Sequence, residues 1–127
     1  MIKEKIYLQP KTIEDAIAMV KEHEKDFRFL AGGTDVMVNR FQGNENSACL
    51  IDLTVVNELK QVKKVGEYLS IGALVRLDDL KNHDEIKHEF PVLIEASHAV
   101  GSPMIRKTAT LGGNILCENR CVFYNQS

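Results

Sequence analysis

An amphipathic segment between two short apolar runs limits the fold more than any other feature of the sequence. In "KTIEDAIAMVKEHEKD", apolar residues recur at i, i+3, i+4 and i+7 from Ile13 to Val20, which predicts a helix with one apolar face. Thr12 is a natural N-cap, and Asp15 follows it at the spacing of an approximate capping box. Because "EKIYLQP" precedes this helix and "FRFLAGGTD" follows it, the chain is expected to open as β-α-β.

The alternation of predicted strands and helices continues through the first part of the chain. A buried strand is predicted from Phe27 to Ala31, followed by a short helix in "DVMVNRF" and another strand centred on Cys49 to Asp52. Such alternation predicts a small sheet with helices packed on it, in the α+β class.

A different pattern follows. Two apolar runs flank Gly66 and Glu67, which predicts a hairpin. Helices are expected in "LDDLKNHDEIKHEF" and, from Pro91 onward, in "VLIEASHAV", whereas "GSPMIRKTATLGGNIL" has turn and strand character. The sequence therefore predicts two subdomains, at residues 1–55 and 56–127.

Two glycine pairs are the candidate binding elements. "FLAGGTD" and "ATLGGN" each place Gly-Gly after an apolar run and before small polar residues. Successive backbone N–H groups in such turns can form a nest for an anion, and facing turns could hold both phosphates of a dinucleotide. A lone Gly-Gly pair is more often an ordinary tight turn, and neither pair matches the Rossmann or P-loop pattern.

Composition excludes several classes of function. A net charge of −2 over 127 residues gives no basic field for nucleic acid. No apolar stretch approaches the roughly 20 residues that span a bilayer, and no signal peptide is recognised, so a cytoplasmic protein without membrane contact is expected. The 3 cysteines argue against a disulfide framework.

Three ordered motifs carry a family resemblance over nearly the whole chain. "FLAGGTDVMV", "LSIGALVRLDDL" and "GSPMIRKTATLGGNIL" resemble the flavoprotein subunit of molybdenum hydroxylases, the xanthine dehydrogenase family. The resemblance implies the N-terminal part of a two-subdomain FAD-binding fold of the vanillyl-alcohol oxidase or PCMH type, with FAD between the subdomains. It also implies which residues hold the FAD pyrophosphate, from the first subdomain and then the second: Ala31, Gly32, Gly33, Thr34, Asp35, Thr110, Leu111, Gly112, Gly113 and Asn114.

The last stretch narrows the resemblance. "TLGGNILCENRCVFYNQS" is similar to the beta subunit of 4-hydroxybenzoyl-CoA reductase, whose branch carries an extra [4Fe–4S] cluster. The resemblance makes Cys121 a cluster ligand and gives Cys117 no ligand role. A cubane cluster uses four thiolates, so the chain is interpreted as a truncated form.

Other side chains give weaker signals. A zinc site or a cysteine nucleophile has no partners at a recognisable spacing, and Cys49 is expected in the core. Arg106 could assist an anion or form a surface or subunit contact, and Tyr124 could stack near a flavin. His98 is expected to be a packed helix residue, and no catalytic residue is assigned.

The resemblance implies an electron-transfer subunit of a molybdenum-flavin oxidoreductase. Its partners would be a large molybdopterin subunit, a small [2Fe–2S] subunit and a ferredoxin. Two alternatives remain: a xanthine or CO dehydrogenase-type subunit without the extra cluster, and a truncated interaction domain with little or no FAD binding.

Overall fold

The structure, a computed structural model, describes residues 5–24 and 26–117. Its first part is a parallel sheet of three strands, β1 (Ile6–Leu8), β2 (Phe27–Leu30) and β3 (Cys49–Asp52), in the order β1-β3-β2. Two helices connect the strands, α1 (Ile13–Glu22) and α2 (Val36–Phe41). The predicted β-α-β opening is therefore confirmed.

Local signals explain the first helix and the central strand. Thr12 caps α1 as predicted, since its Oγ1 accepts a hydrogen bond from the Asp15 backbone N–H at 3.1 Å. Strand β3 has the predicted bounds, and every one of its residues is buried because strands cover both of its edges. Cys49, 1% exposed, lies in the core as expected.

Strand β2 differs from its prediction as a buried strand. It ends at Leu30, and Arg28 and Phe29 are exposed, with Phe29 at 43%. The reason is its place at the edge of the sheet, where only one neighbouring strand covers it. An apolar run alone does not distinguish an edge strand from a central one.

The second part begins with a 3₁₀ helix at Asn57–Lys60 and the predicted hairpin. Strands β4 (Val62–Val65) and β5 (Tyr68–Ile71) pair antiparallel, and Gly66 has φ of 60° in the two-residue turn between them. A conformation with positive φ is why glycine is suited to this position.

Helical elements then follow and surround a separate apolar cluster. They are a 3₁₀ helix at Leu77–Asn82, α3 (Asp84–Glu89), α4 (Pro91–His98), α5 (Pro103–Arg106) and α6 (Leu111–Leu116). Pro91 is at the start of α4, as predicted. The buried cluster consists of Val75, Leu77, Leu80, Ile86 and Ala109. The division of the chain at residues 55 and 56 stays a prediction.

The prediction of turn and strand character for residues 101–116 is wrong for residues 103–106 and 111–116, which form helices. Residues 107–108 do form a turn, and Thr110 forms an isolated β-bridge with Arg76. Ser102 caps α5 through its Oγ, which accepts from the Ile105 N–H at 3.3 Å, and Thr110 caps α6. In both cases a hydroxyl side chain starts a helix whose composition has weak helical character. The second glycine pair consequently lies in the first turn of a helix.

No helix in the described part of the chain is both long enough and apolar enough to cross a bilayer.

Candidate functional site

A cavity of about 570 Å³ lies between the two glycine pairs. We call residues 31–35 the first glycine segment and residues 110–114 the second glycine segment. Of the residues predicted to hold a pyrophosphate, all but Leu111 line this cavity. Leu111 instead packs against the apolar cluster of the second part. The structure thus brings together two segments that are far apart in the sequence.

The first glycine segment leaves the carboxyl end of β2 and leads into α2. Gly33 has φ of 74°, and its carbonyl accepts a hydrogen bond from the Met37 N–H at 3.1 Å. Within residues 5–24 and 26–117, the backbone N–H groups of Gly32, Gly33 and Thr34 donate no hydrogen bond. Adjacent free N–H groups in a loop with a left-handed residue form the arrangement that binds anions.

In the second glycine segment, by contrast, the backbone N–H groups of residues 111–114 are already hydrogen-bonded. The Leu111 N–H donates to the Val75 carbonyl at 2.8 Å, and the Gly112 N–H donates to the Ala73 carbonyl at 2.9 Å. Thr110 accepts the next two bonds, from the Gly113 N–H to its Oγ1 at 3.2 Å and from the Asn114 N–H to its carbonyl at 2.9 Å. These N–H groups already have acceptors within the chain, so the segment forms a wall of the cavity without offering a nest.

Each segment packs closely against another part of the chain. A Cβ atom on Gly32 would lie 2.1 Å from the Thr108 carbonyl oxygen, and a Cβ on Gly112 would lie 2.6 Å from the Ala73 Cβ. Real Cβ atoms do not come this close to other heavy atoms, so both positions require glycine for contacts inside the protein. Glycine was expected here because it lets a ligand come close to the backbone. The structure shows that glycine also lets another part of the chain come close.

The charges of the cavity lining all come from the first part of the chain, at Arg28, Asp35 and Glu45. Glu45 is 8% exposed, and its Oε2 accepts from Arg28 Nε at 2.7 Å while Oε1 accepts from the Ser47 N–H at 2.7 Å. Burial raises the pKa of Glu45, but the hydrogen bonds from Ser47 and Arg28 outweigh it, and the net pKa is lowered. Glu45 is consequently a buried carboxylate held in its charged form.

The cysteines and Arg106 complete the sequence predictions. Cys117 lines the cavity, and its Sγ donates to the Asn114 carbonyl at 3.0 Å, which its prediction as a bystander did not anticipate. Cys121 and Tyr124 lie outside the described residues, so their roles stay predictions.

Arg106 lies outside the cavity lining and donates from Nη1 to the Val100 and Gly101 carbonyls at 3.1 and 3.2 Å. In the described ranges, no group of three or more His, Cys, Asp or Glu is placed to hold a metal.

Sequence reasoning missed Asn39 and Glu45, which are both buried in the cavity wall. Asn39 lies inside α2, where an amide is normally solvent-exposed, and Glu45 lies in a polar loop. Their spacing from the first glycine segment carried no recognisable motif. Only the folded positions of α2 and of the loop that follows it show that Asn39 and Glu45 line the cavity.

The chain is similar in sequence to a known protein family and to several of its members. Residues 2–121 match the model of a family described as the FAD binding domain in molybdopterin dehydrogenase. The nicotinate dehydrogenase FAD-subunit of Eubacterium barkeri is 32% identical over 111 residues, which cover 86% of this chain and 37% of that protein. The carbon monoxide dehydrogenase medium chain of Hydrogenophaga pseudoflava is 31% identical over 112 residues, covering 86% of this chain and 38% of the relative.

A solved structure gives the same result for the fold. Carbon monoxide dehydrogenase from Hydrogenophaga pseudoflava, lacking the Mo-pyranopterin moiety of its molybdenum cofactor, superposes with a TM-score of 0.84 at 28% identity. The match covers 91% of this chain and 40% of that one, so the chain spans well under half the length of the relatives it matches. The predicted α+β fold of the PCMH type is confirmed. The chain belongs to the family of FAD-binding domains of molybdopterin dehydrogenases.

Proposed function

We propose that this chain binds FAD in the cavity between the two glycine segments, with the pyrophosphate at the first of them. The observation that carries this proposal is the row of N–H groups at Gly32, Gly33 and Thr34, which find no acceptor among the described residues. Phosphate oxygens are strong acceptors, and several adjacent N–H donors stabilise their charge. Ala31 and Asp35 complete the segment on either side.

The cavity supports a ligand of this class. Its volume of about 570 Å³ lies within the range of roughly 300–1,000 Å³ that is typical of cofactor sites. Thr110, Gly112, Gly113 and Asn114 form the opposite wall, which has no charged residue in the lining. Such a wall fits the apolar and polar neutral parts of the dinucleotide, while Leu111 would act through packing behind it.

The wider function is electron transfer within a molybdenum-containing oxidoreductase. When bound, FAD supplies the redox chemistry, and the residues of this chain bind and orient it. A medium chain and a molybdenum cofactor in the carbon monoxide dehydrogenase relatives support a molybdenum-containing partner. The family resemblance implies that the partners are a large molybdopterin subunit and a small [2Fe–2S] subunit. A cytoplasmic complex, with a ferredoxin as electron donor, belongs to the same proposal.

The finer assignment concerns the branch of the family. A 4-hydroxybenzoyl-CoA reductase-like subunit would use Cys121 as the first ligand of an additional [4Fe–4S] cluster, whereas xanthine- and CO dehydrogenase-type subunits have no such cluster. The two are distinguished by the gene sequence after Ser127, where the cluster requires three more cysteines at short distance. Their absence would assign the chain to the second type.

Exposed apolar side chains favour one alternative, an interaction domain with little or no FAD binding. Phe41 is 93% exposed, Leu116 85% and Ile115 70%, and large exposed apolar surfaces commonly mark contacts with other chains. This alternative predicts self-association or partner binding that is unaffected by flavin. FAD binding by the purified chain separates the two proposals.

The test is titration of the purified chain with FAD, followed by flavin fluorescence and by co-elution of flavin with protein. Gly33→Val should weaken binding at least tenfold, because a β-branched residue does not adopt a φ of 74° and its side chain would crowd Met37. Gly33→Asn should retain more affinity, since asparagine tolerates the left-handed region.

Gly43→Val is the matched control, because Gly43 has φ of 79° but lies outside the cavity lining. It should lower stability and leave the affinity of the folded fraction unchanged. Absence of binding by the original chain at high FAD would overturn the proposed function. Retained affinity in Gly33→Val would overturn only the role given to that residue.

A further inference from the structure

Asn39 is a buried polar residue in the wall of the proposed FAD site. It lies inside α2, is 2% exposed and lines the cavity together with Asn44 and Glu45. An asparagine in a helix interior is usually exposed, because burial requires hydrogen-bond partners for both ends of its amide. Burial of Asn39 therefore requires hydrogen-bond partners for both its amide nitrogen and its amide oxygen.

Nearly all of its polar groups have partners. Asn39 Nδ2 donates to the Asp35 carbonyl at 2.9 Å, and its backbone N–H donates to the same carbonyl at 3.0 Å. Its own carbonyl accepts from the Asn44 N–H at 2.8 Å and from the Glu45 N–H at 3.2 Å. Since Nδ2 faces a carbonyl oxygen, the assignment of the amide nitrogen and oxygen follows from the hydrogen bonding.

The exception is Oδ1, which accepts no hydrogen bond from any residue in the described ranges. A buried acceptor without a partner destabilises the fold, because it has lost its hydrogen bonds to water and gained none in exchange. Most buried polar groups in native proteins have a partner, so an exception inside a cavity wall points to a group that binds there. Asn39 lies one helical turn after the first glycine segment, which places its amide beside the proposed pyrophosphate position.

The chemistry of the missing partner follows from this location. The groups attached directly to the pyrophosphate of a dinucleotide are sugars, and sugar hydroxyls are hydrogen-bond donors. The neighbouring Glu45 carboxylate has no donor to offer, and its two oxygens already accept from Arg28 and Ser47, so Oδ1 is left as an acceptor that a ligand donor can satisfy. A phosphate, which offers only acceptors, would not satisfy Oδ1.

We propose that Asn39 Oδ1 accepts a hydrogen bond from a sugar hydroxyl of the bound dinucleotide, and that this contact selects for the hydroxylated sugar. The inference rests on the proposed FAD site and adds a specificity-determining residue to it. Because Oδ1 is enclosed, the contact forms together with a small shift of the cavity wall. The hydroxyl belongs to the ribose of the adenosine half or to the ribityl chain of the flavin half.

The experiment measures the affinity of the purified chain for FAD, for FAD made with 2′-deoxyadenosine, for ADP and for FMN. These four ligands are measured with the original chain, with Asn39→Ala and with Asn57→Ala. Asn57 is an exposed amide outside the cavity lining and is the matched control. Two comparisons are decisive, the affinity for FAD against that for its deoxy analogue and the affinity for FMN against that for ADP, because a purely structural role of Asn39 would weaken all four ligands equally.

If the ribose is the partner, the original chain and Asn57→Ala should prefer FAD over the deoxy analogue by roughly five- to tenfold, and Asn39→Ala should lose that preference. If the ribityl chain is the partner, Asn39→Ala should weaken FMN by a similar factor and leave ADP unchanged.

An equal loss for all four ligands would overturn the inference and leave the FAD site intact, since it would show only that Asn39 holds the turn. If the original chain binds none of the four ligands, the proposed function itself fails.

Discussion

The two glycine segments have similar sequences and different structures. In the first, Gly33 is left-handed, and the N–H groups of Gly32 to Thr34 have no acceptor in the described part of the chain. In the second, Gly112 and Gly113 lie in a capped helical turn whose N–H groups all have acceptors. The difference teaches that a Gly-Gly pair followed by small polar residues does not by itself indicate a phosphate nest.

The surroundings of the two segments differ in the same sense. The charged residues of the cavity lining belong to the first part of the chain, whereas the second part contributes neutral side chains and backbone. We therefore expect the first segment to supply the ligand's electrostatic contacts and the second to supply shape. Substitutions in the two segments should then have separable effects on stability and on FAD binding.

The largest effect is expected where the first segment packs against the backbone of Thr108. Gly32→Ala would place a Cβ 2.1 Å from the Thr108 carbonyl oxygen, so the two backbones must separate. We expect a loss of about 3 kcal/mol or more in the free energy of unfolding, measured by urea denaturation. Gly43→Ala is the control, because nothing lies within 4 Å of its Cβ and only its positive φ costs about 1–2 kcal/mol. Equal losses in both variants would show that the first segment is not tightly packed against Thr108.

A medium effect is expected from the two threonine caps. Thr12→Ala and Thr110→Ala each remove a side-chain hydrogen bond to a helix N-terminus, worth about 1 kcal/mol. Because Thr110 starts the helix that forms the cavity wall, only Thr110→Ala should also weaken FAD binding. Thr110→Ser should restore both properties. Unchanged FAD affinity in Thr110→Ala would remove the second segment from the site.

The smallest effect concerns the carboxylate beside the first segment. The pKa of Glu45 is lowered in the folded chain, so its contribution to stability is present above the ordinary glutamate pKa of about 4.3 and is lost as the pH falls through the lower folded value. Glu45→Gln should flatten the loss of stability below about pH 4. Glu58→Gln, at an exposed position in the second part, is the control. An unchanged acid profile in Glu45→Gln would mean that Ser47 and Arg28 do not hold the charge.

The sequence predicted what local patterns determine. The helix α1 with its Thr12 cap, the bounds of β3 and the turn at Gly66 each depend on a few neighbouring residues, and the structure confirms them. On the predicted apolar face of α1, however, only Ala16 is buried and Ile17 is 52% exposed. The position of β2 at the sheet edge depends on strand order, which its own residues do not encode. The helices at residues 103–106 and 111–116 escaped notice because single hydroxyl caps and tertiary contacts outweigh their poor intrinsic propensity.

The site was predictable only in part for the same reason. The family resemblance supplied the two glycine segments, and the structure places them around one cavity. It could not supply Asn39 or Glu45, whose roles depend on burial and on a single unsatisfied oxygen. It also could not tell which segment has free N–H groups, because that depends on acceptors at Ala73 and Val75, far away in the sequence.

An amide NMR titration of the isotope-labelled chain with FAD tests most directly whether the pyrophosphate binds at the first glycine segment. We predict that the backbone N–H resonances of Gly32, Gly33 and Thr34 shift most and move downfield, because these groups gain phosphate acceptors. The resonances of Leu111, Gly112 and Gly113 should change less, because their N–H groups keep the acceptors they already have. Large shifts in the second segment with little change in the first would contradict the assignment of the pyrophosphate to the first glycine segment.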